Sequence, residues 1–122
     1  MVTQWTVLNR LKQTASLDEE GAASGLPLCV VCLEEIRARL REGADGNDIR
    51  IERAAAGLAF YKTMLKRIAE DGGVTGFKAG DVSVSQNPGD ILAIAEKVRD
   101  EALAGAAPLL RDDLFVFKRV GV

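Results

Sequence analysis

Gly72-Gly73-Val74-Thr75-Gly76-Phe77-Lys78-Ala79-Gly80-Asp81-Val82-Ser83-Val84-Ser85-Gln86-Asn87-Pro88-Gly89 decides how the rest of the chain is read, because it is a glycine-bounded insert between two strongly helical segments. With Ala79-Gly80 as a two-residue turn, Lys78 faces Asp81, Phe77 faces Val82 and Thr75 faces Val84. Opposite charges then flank the turn, and an aromatic meets a β-branched residue. Phe77, Val82 and Val84 share one face and Ser83 and Ser85 the other, the alternation of a strand with one buried side. The stretch reads as a β-hairpin over about 74–86. A lone hairpin is marginal in water and wants a third strand, a helix or a partner chain over its apolar face.

On its N-terminal side runs the most regular helical pattern in the chain, about 48–71. Ile51, Ala55, Leu58, Tyr61, Leu65 and Ile68 form one stripe, and Ala56, Phe60 and Met64 widen it, so this helix is expected to be central and covered on more than one side. Asp48 is its candidate N-cap, and Gly72-Gly73 stops it. On the C-terminal side, Asn87-Pro88-Gly89-Asp90 reads as N-cap, first-turn proline and acidic third residue. A helix over about 88–107 follows, with Ile91, Ile94, Ala95, Val98, Ala102 and Ala106 at helical spacing. Pro108 ends it or kinks its last turn.

Further out, a short helix is expected over about 2–15, carrying Val2, Trp5, Val7, Leu8 and Leu11. Ser16-Leu17-Asp18-Glu19 has the capping-box pattern that starts a second helix, about 17–42, with a break near 25–27 where Gly25 and Pro27 fall. The tail Leu114-Phe115-Val116-Phe117-Lys118-Arg119-Val120 is rich in aromatic and β-branched residues and reads as a terminal strand over about 114–120. The fold class implied is mainly α: one domain, 1–122, built as a small bundle of about four helices with an inserted β-hairpin and a C-terminal strand. At 122 residues such a chain buries a core without disulfides or metals. Aromatics make up only 5%, so that core must be mostly Leu, Ile, Val and Ala.

Charge and composition narrow the function classes. A net charge of −2 gives no general attraction for nucleic acid or anionic membrane. No apolar run approaches the roughly 20 residues that span a bilayer, and Met1 to Arg10 lacks a secretory pattern, which points to a cytoplasmic setting.

Cys29-Val30-Val31-Cys32 has the spacing of a redox dithiol, but bulky valines separate the thiols and no strand leads into the motif. A zinc site needs more ligands, and the chain has two cysteines and no histidine. Buried core thiols are the plainer reading. Without histidine the usual general base for a serine or cysteine nucleophile is missing. Glu34, Glu35, Glu42, Glu52, Glu70, Glu96, Asp100 and Glu101 fall where a solvated helix surface would put them. The glycines match neither a phosphate-cradling loop nor a dinucleotide fingerprint. Arg50, Arg53, Lys62, Lys66 and Arg67 sketch a basic strip on the central helix, interrupted by Glu52 and Glu70. No catalytic, cofactor-binding or metal-ligating set is therefore assigned, and a non-enzymatic role is expected.

The hairpin and the tail differ, because even their plainest reading is an interaction. The tail strand either completes a sheet within the chain or adds to that of a neighbouring copy. The expected interface residues are Phe77, Val82, Val84, Phe115 and Phe117.

At this point the chain resembles the head-tail connector, or head-completion, proteins of tailed phages and prophages. The resemblance rests on the helical N-terminal half and on the run Ala54-Ala55-Ala56-Gly57-Leu58-Ala59-Phe60-Tyr61. It also rests on the segment Phe77 to Ser85 and on the last helix running into Ala106-Ala107-Pro108-Leu109-Leu110. It implies a structural subunit that assembles as a homo-oligomeric ring between portal and tail proteins. Genome DNA would pass through the lumen without sequence-specific binding, and the protein would reside in the virion or the host cytoplasm. The alternatives are a helical protein-interaction module unrelated to virions and a small thiol redox protein using Cys29 and Cys32.

Overall fold

The computed structural model describes residues 1–15, 17, 19–71, 77–79, 82–84 and 88–111. Helix α1 (Gln4–Ala15) starts from a reciprocal threonine cap. The Thr6 amide donates to Thr3 Oγ1 at 3.3 Å and the Thr3 amide to Thr6 Oγ1 at 3.0 Å, which satisfies donors a helix start leaves open. Val7, Leu11 and Ala15, four residues apart, form its buried stripe.

Helix α2 (Glu19–Arg37) is continuous, with Pro27 inside it, so the break expected near 25–27 does not occur and the helix ends short of 42. The reason lies in which side the proline occupies. Pro27 and Ala23, whose carbonyl loses its amide partner, are both exposed, so water can solvate the freed group. The opposite side buries Ala22, Gly25, Cys29, Cys32, Leu33 and Ile36, which holds the two halves in line.

Helix α3 (Ile49–Asp71) is capped by Asp48, whose Oδ1 accepts the Arg50 amide at 2.9 Å. The Arg50 side chain also donates to that carboxylate, at 3.0 Å to each oxygen. The side-chain and then the backbone hydrogen bonds from Arg50 hold the Asp48 carboxyl down at about 2. Helix α4 (Pro88–Ala106) begins on its proline, and Pro108 lies in a single 3₁₀ turn, Ala107–Leu109.

Helix α3 is the hub, with α1, α2 and α4 all packed on it. Its Ile51, Ala54, Ala55, Ala59, Phe60 and Met64 are sealed from solvent together with Val7, Leu11, Cys29, Cys32, Ile36 and Ile91. The α3–α4 crossing is tight because small residues meet there. A Cβ built on Gly57 would lie 2.8 Å from the Ala102 Cβ and 3.4 Å from the Val98 carbonyl oxygen.

The linker between α2 and α3 gathers both ends of the described chain. Val2 donates its amide to Asn47 Oδ1 at 3.2 Å, and the Arg37 guanidinium reaches the Val2 carbonyl. Leu40 forms an antiparallel bridge with Leu110: Arg41 donates its amide to the Leu109 carbonyl at 2.8 Å, and Arg111 donates to Arg39 at 2.9 Å.

The expected fold class needs correcting. The described body is mainly α with four helices, and the full hairpin expected over 74–86 is not what is found there. Of the hairpin expected over 74–86, the described residues hold two three-residue strands, β1 (Phe77–Ala79) and β2 (Val82–Val84), paired antiparallel with each other. The register also differs from the expected one: Phe77 is opposite Val84, Lys78 opposite Ser83 and Ala79 opposite Val82. Gly80-Asp81 therefore separates the pairs. Glycine first is the order that a tight two-residue connection tolerates, whereas Ala79-Gly80 would ask alanine for a positive φ. The C-terminal strand expected over 114–120 lies outside the described residues.

Candidate functional site

The five residues expected to form an interface divide between two places. Phe77, Val82 and Val84 belong to β1 and β2, with Phe77 and Val84 paired across the ladder. Phe115 and Phe117 lie outside the described residues, so the expected contact between the two groups is not described.

The thiol pair is placed clearly. Cys29 and Cys32 are both sealed in the core and unpaired. Their spacing of three on α2 turns them to one face, and that face is the buried one. Burial pushes each thiol up to about 11. At Cys32 the charge of Lys62 pulls slightly the other way, while Glu35 and Cys29 add to the rise. A redox dithiol needs the opposite environment, exposed and electropositive enough to favour thiolate.

The carboxylates serve ion pairs between and within helices. Glu52, nearly buried, accepts from Arg10 across α1 and α3, with Nη2 at 2.6 Å. Glu35 is shared by Arg39 at 3.4 Å and Lys62 at 3.3 Å. Glu34, Glu42 and Glu101 are exposed, and Glu96 is partly so. Of the basic strip, Arg50 is held by Asp48 and Lys62 by Glu35, whereas Arg53, Lys66 and Arg67 make no ion pair among the described residues. No group of three His, Cys, Asp or Glu among the described residues gathers to hold a metal ion, and no described helix is long and apolar enough to cross a membrane.

One buried charge escapes sequence reasoning altogether. Arg99, with a side chain only 8% exposed, stacks on Tyr61 with 4.2 Å from its guanidinium carbon to the ring centre. Its Nε donates to Asp100 Oδ1 at 2.9 Å. Nη2 lies equally near that oxygen but makes no hydrogen bond of its own. The Tyr61 ring supplies the face that makes this burial tolerable and ties α4 to α3.

The outer surface carries the second surprise. Trp5 is 60% exposed, although it lies on a helix that buries Val7, Leu11 and Ala15. Counted at 100° per residue, Trp5 stands about 200° from Val7, on the opposite side of α1. Sequence reading that enrols it with the apolar stripe misses this, and the angular count recovers it. Ile49, Val31 and Leu65 are further large apolar side chains left in water.

A groove of about 370 Å³ opens between the start of α2 and the end of α3, lined by Leu17, Glu20, Gly21 and Leu28 on one side and Thr63, Lys66 and Arg67 on the other. Lys62 meets Glu35 nearer the middle of α3, so the two helices run antiparallel along it. A second, of about 300 Å³, lies over the tight α3–α4 crossing, between Arg10 and Thr14 of α1, Arg53 of α3 and Glu101 of α4. No protein-family model matches the chain, and neither a curated protein nor a solved structure matches it.

Proposed function

We propose that the chain is a structural assembly subunit of the head-tail connector kind, acting through contacts with neighbouring protein subunits between a portal and a tail. The single observation that carries the contact-based role is Trp5, the largest side-chain type, held outside a helix whose other side is fully committed to the core. Tryptophan supplies much of the binding energy where protein surfaces meet, because it offers a broad apolar face with one donor at its edge. The particular setting is drawn from the order of elements: a helical N-terminal half, the Ala54 to Tyr61 run in α3, and α4 running into Pro108. In this reading copies join through the α1 face that bears Trp5 to form a ring, and DNA passes it without sequence-specific contact.

The experiment is a light-scattering mass of the purified protein with and without Trp5→Ala, together with a pull-down against portal protein. Since Trp5 is exposed, the substitution should change folding stability by less than about 0.5 kcal/mol. It should weaken assembly or portal binding by about 2 kcal/mol or more. A parent that shows no assembly and no portal binding would rule the connector role out.

A further inference from the structure

The groove between α2 and α3 has two lips of opposite charge that make no ion pair among the described residues. Glu20 lines its α2 side, with Glu19 exposed beside it, and Lys66 and Arg67 line the facing α3 side. Other acids and bases of the described structure do pair, as Arg10 with Glu52, Arg50 with Asp48 and Lys62 with Glu35. Neither the three groove charges nor Glu19 takes part in an ion pair among the described residues. Between the lips lie Leu17, Leu28 and the bare backbone of Gly21, so part of the groove is apolar.

We propose that this groove is the contact surface of a two-fold homodimer, in which Glu19 and Glu20 of each copy face Lys66 and Arg67 of the other. A two-fold contact requires a surface to be complementary to itself: where residue i meets j, j also meets i. An acidic lip beside a basic lip meets that requirement as it stands, since turning one copy over lays acid on base twice. The apolar strip between them becomes the shared dry centre, and removing it from water strengthens the surrounding ion pairs. A small anion seated on Lys66 and Arg67 is the poorer occupant, because Glu20 in the same groove repels it. The chain's net charge of −2 favours no general self-attraction, so association has to come from this local pattern.

The inference goes beyond the connector reading and uses a different face. A two-fold contact closes on itself and builds no ring, so the Trp5 face and the groove can succeed or fail separately.

The test is sedimentation or light scattering of the full chain over a range of concentration and salt. The parent should dimerise, and raising the salt from about 0.1 M to 1 M, where the screening length falls from about 10 Å to 3 Å, should weaken the dimer at least tenfold. Lys66→Glu with Arg67→Glu makes both lips acidic, and Glu19→Lys with Glu20→Lys makes both basic. Each double variant alone should lose the two-fold contact while keeping a helical spectrum like the parent's, and an equimolar mixture should recover that contact. Trp5→Ala should leave the dimer intact. A parent that stays monomeric up to its solubility limit, variants that dimerise as the parent does, or a mixture that fails to associate would each overturn the proposal.

Discussion

Cys29 and Cys32 illustrate how a few ångströms of depth settle the chemistry of a side chain. The same spacing at an exposed helix start would favour thiolate, but on the inner face of α2 it makes two small apolar plugs in the core. Since burial pushes both thiols from an ordinary value of 9.0 to about 11, the folded chain holds these protons more tightly than the unfolded one. Their contribution to stability is therefore fully present below about pH 9 and is lost as pH rises towards 11. Denaturant midpoints measured from pH 7 to 11 should fall across that upper window, and a Cys29→Ala, Cys32→Ala double variant should show a smaller fall. In the native protein a thiol reagent should label neither cysteine at pH 8 until denaturant is added. Rapid labelling of the folded protein would restore the redox reading.

At the scale of elements, the α3–α4 crossing is the least forgiving place. Alanine is the better helix former by about 1 kcal/mol, yet at position 57 its methyl would press on the Ala102 methyl at 2.8 Å. Gly57→Ala should therefore destabilise by a net ~1–2 kcal/mol, and Gly57→Val by more, as overpacking forces the backbones apart. Urea unfolding measures both, and a stabilised Gly57→Ala would show that the crossing yields easily.

The helices themselves are legible in the sequence because their signals are local. The broad stripe of α3 marks the hub, Asp48 marks its start and Pro88 the start of α4. The errors arise where a local rule meets a longer-range fact. Pro27 breaks helices in general, but here its exposed side lets water take the freed carbonyl while buried Cys29 and Leu33 hold the axis. The register of β1 and β2 is a choice between turns one residue apart, which charge pairing favours one way and glycine's position the other. Of the candidate site, Lys66 and Arg67 are visible as charges, but nothing local reveals that α2 brings Glu20 opposite them unpaired. Arg99 likewise looks like a surface residue until Tyr61 is placed against it.

Seen whole, the molecule has a fastening point as well as a core. The linker after α2 holds Val2 through Asn47, with Arg37 at the end of α2 adding to the grip, and holds Leu110 through the bridge at Leu40. Arg41 Nε adds a bond of 2.5 Å to the Leu110 carbonyl across 69 residues of chain. In time, a bridge spanning that much sequence cannot come early. Closing so long a loop before its contents are packed loses chain entropy for a few hydrogen bonds, so α3 and α4 must dock first. During refolding followed by pulsed hydrogen exchange, the amides of Arg41 and Arg111 should therefore gain protection after those of α3. Protection of all three at once would mean that the chain closes in one step. The linker thus acts as the last clasp of the fold, and its opening is expected to be the first event when the protein begins to come apart.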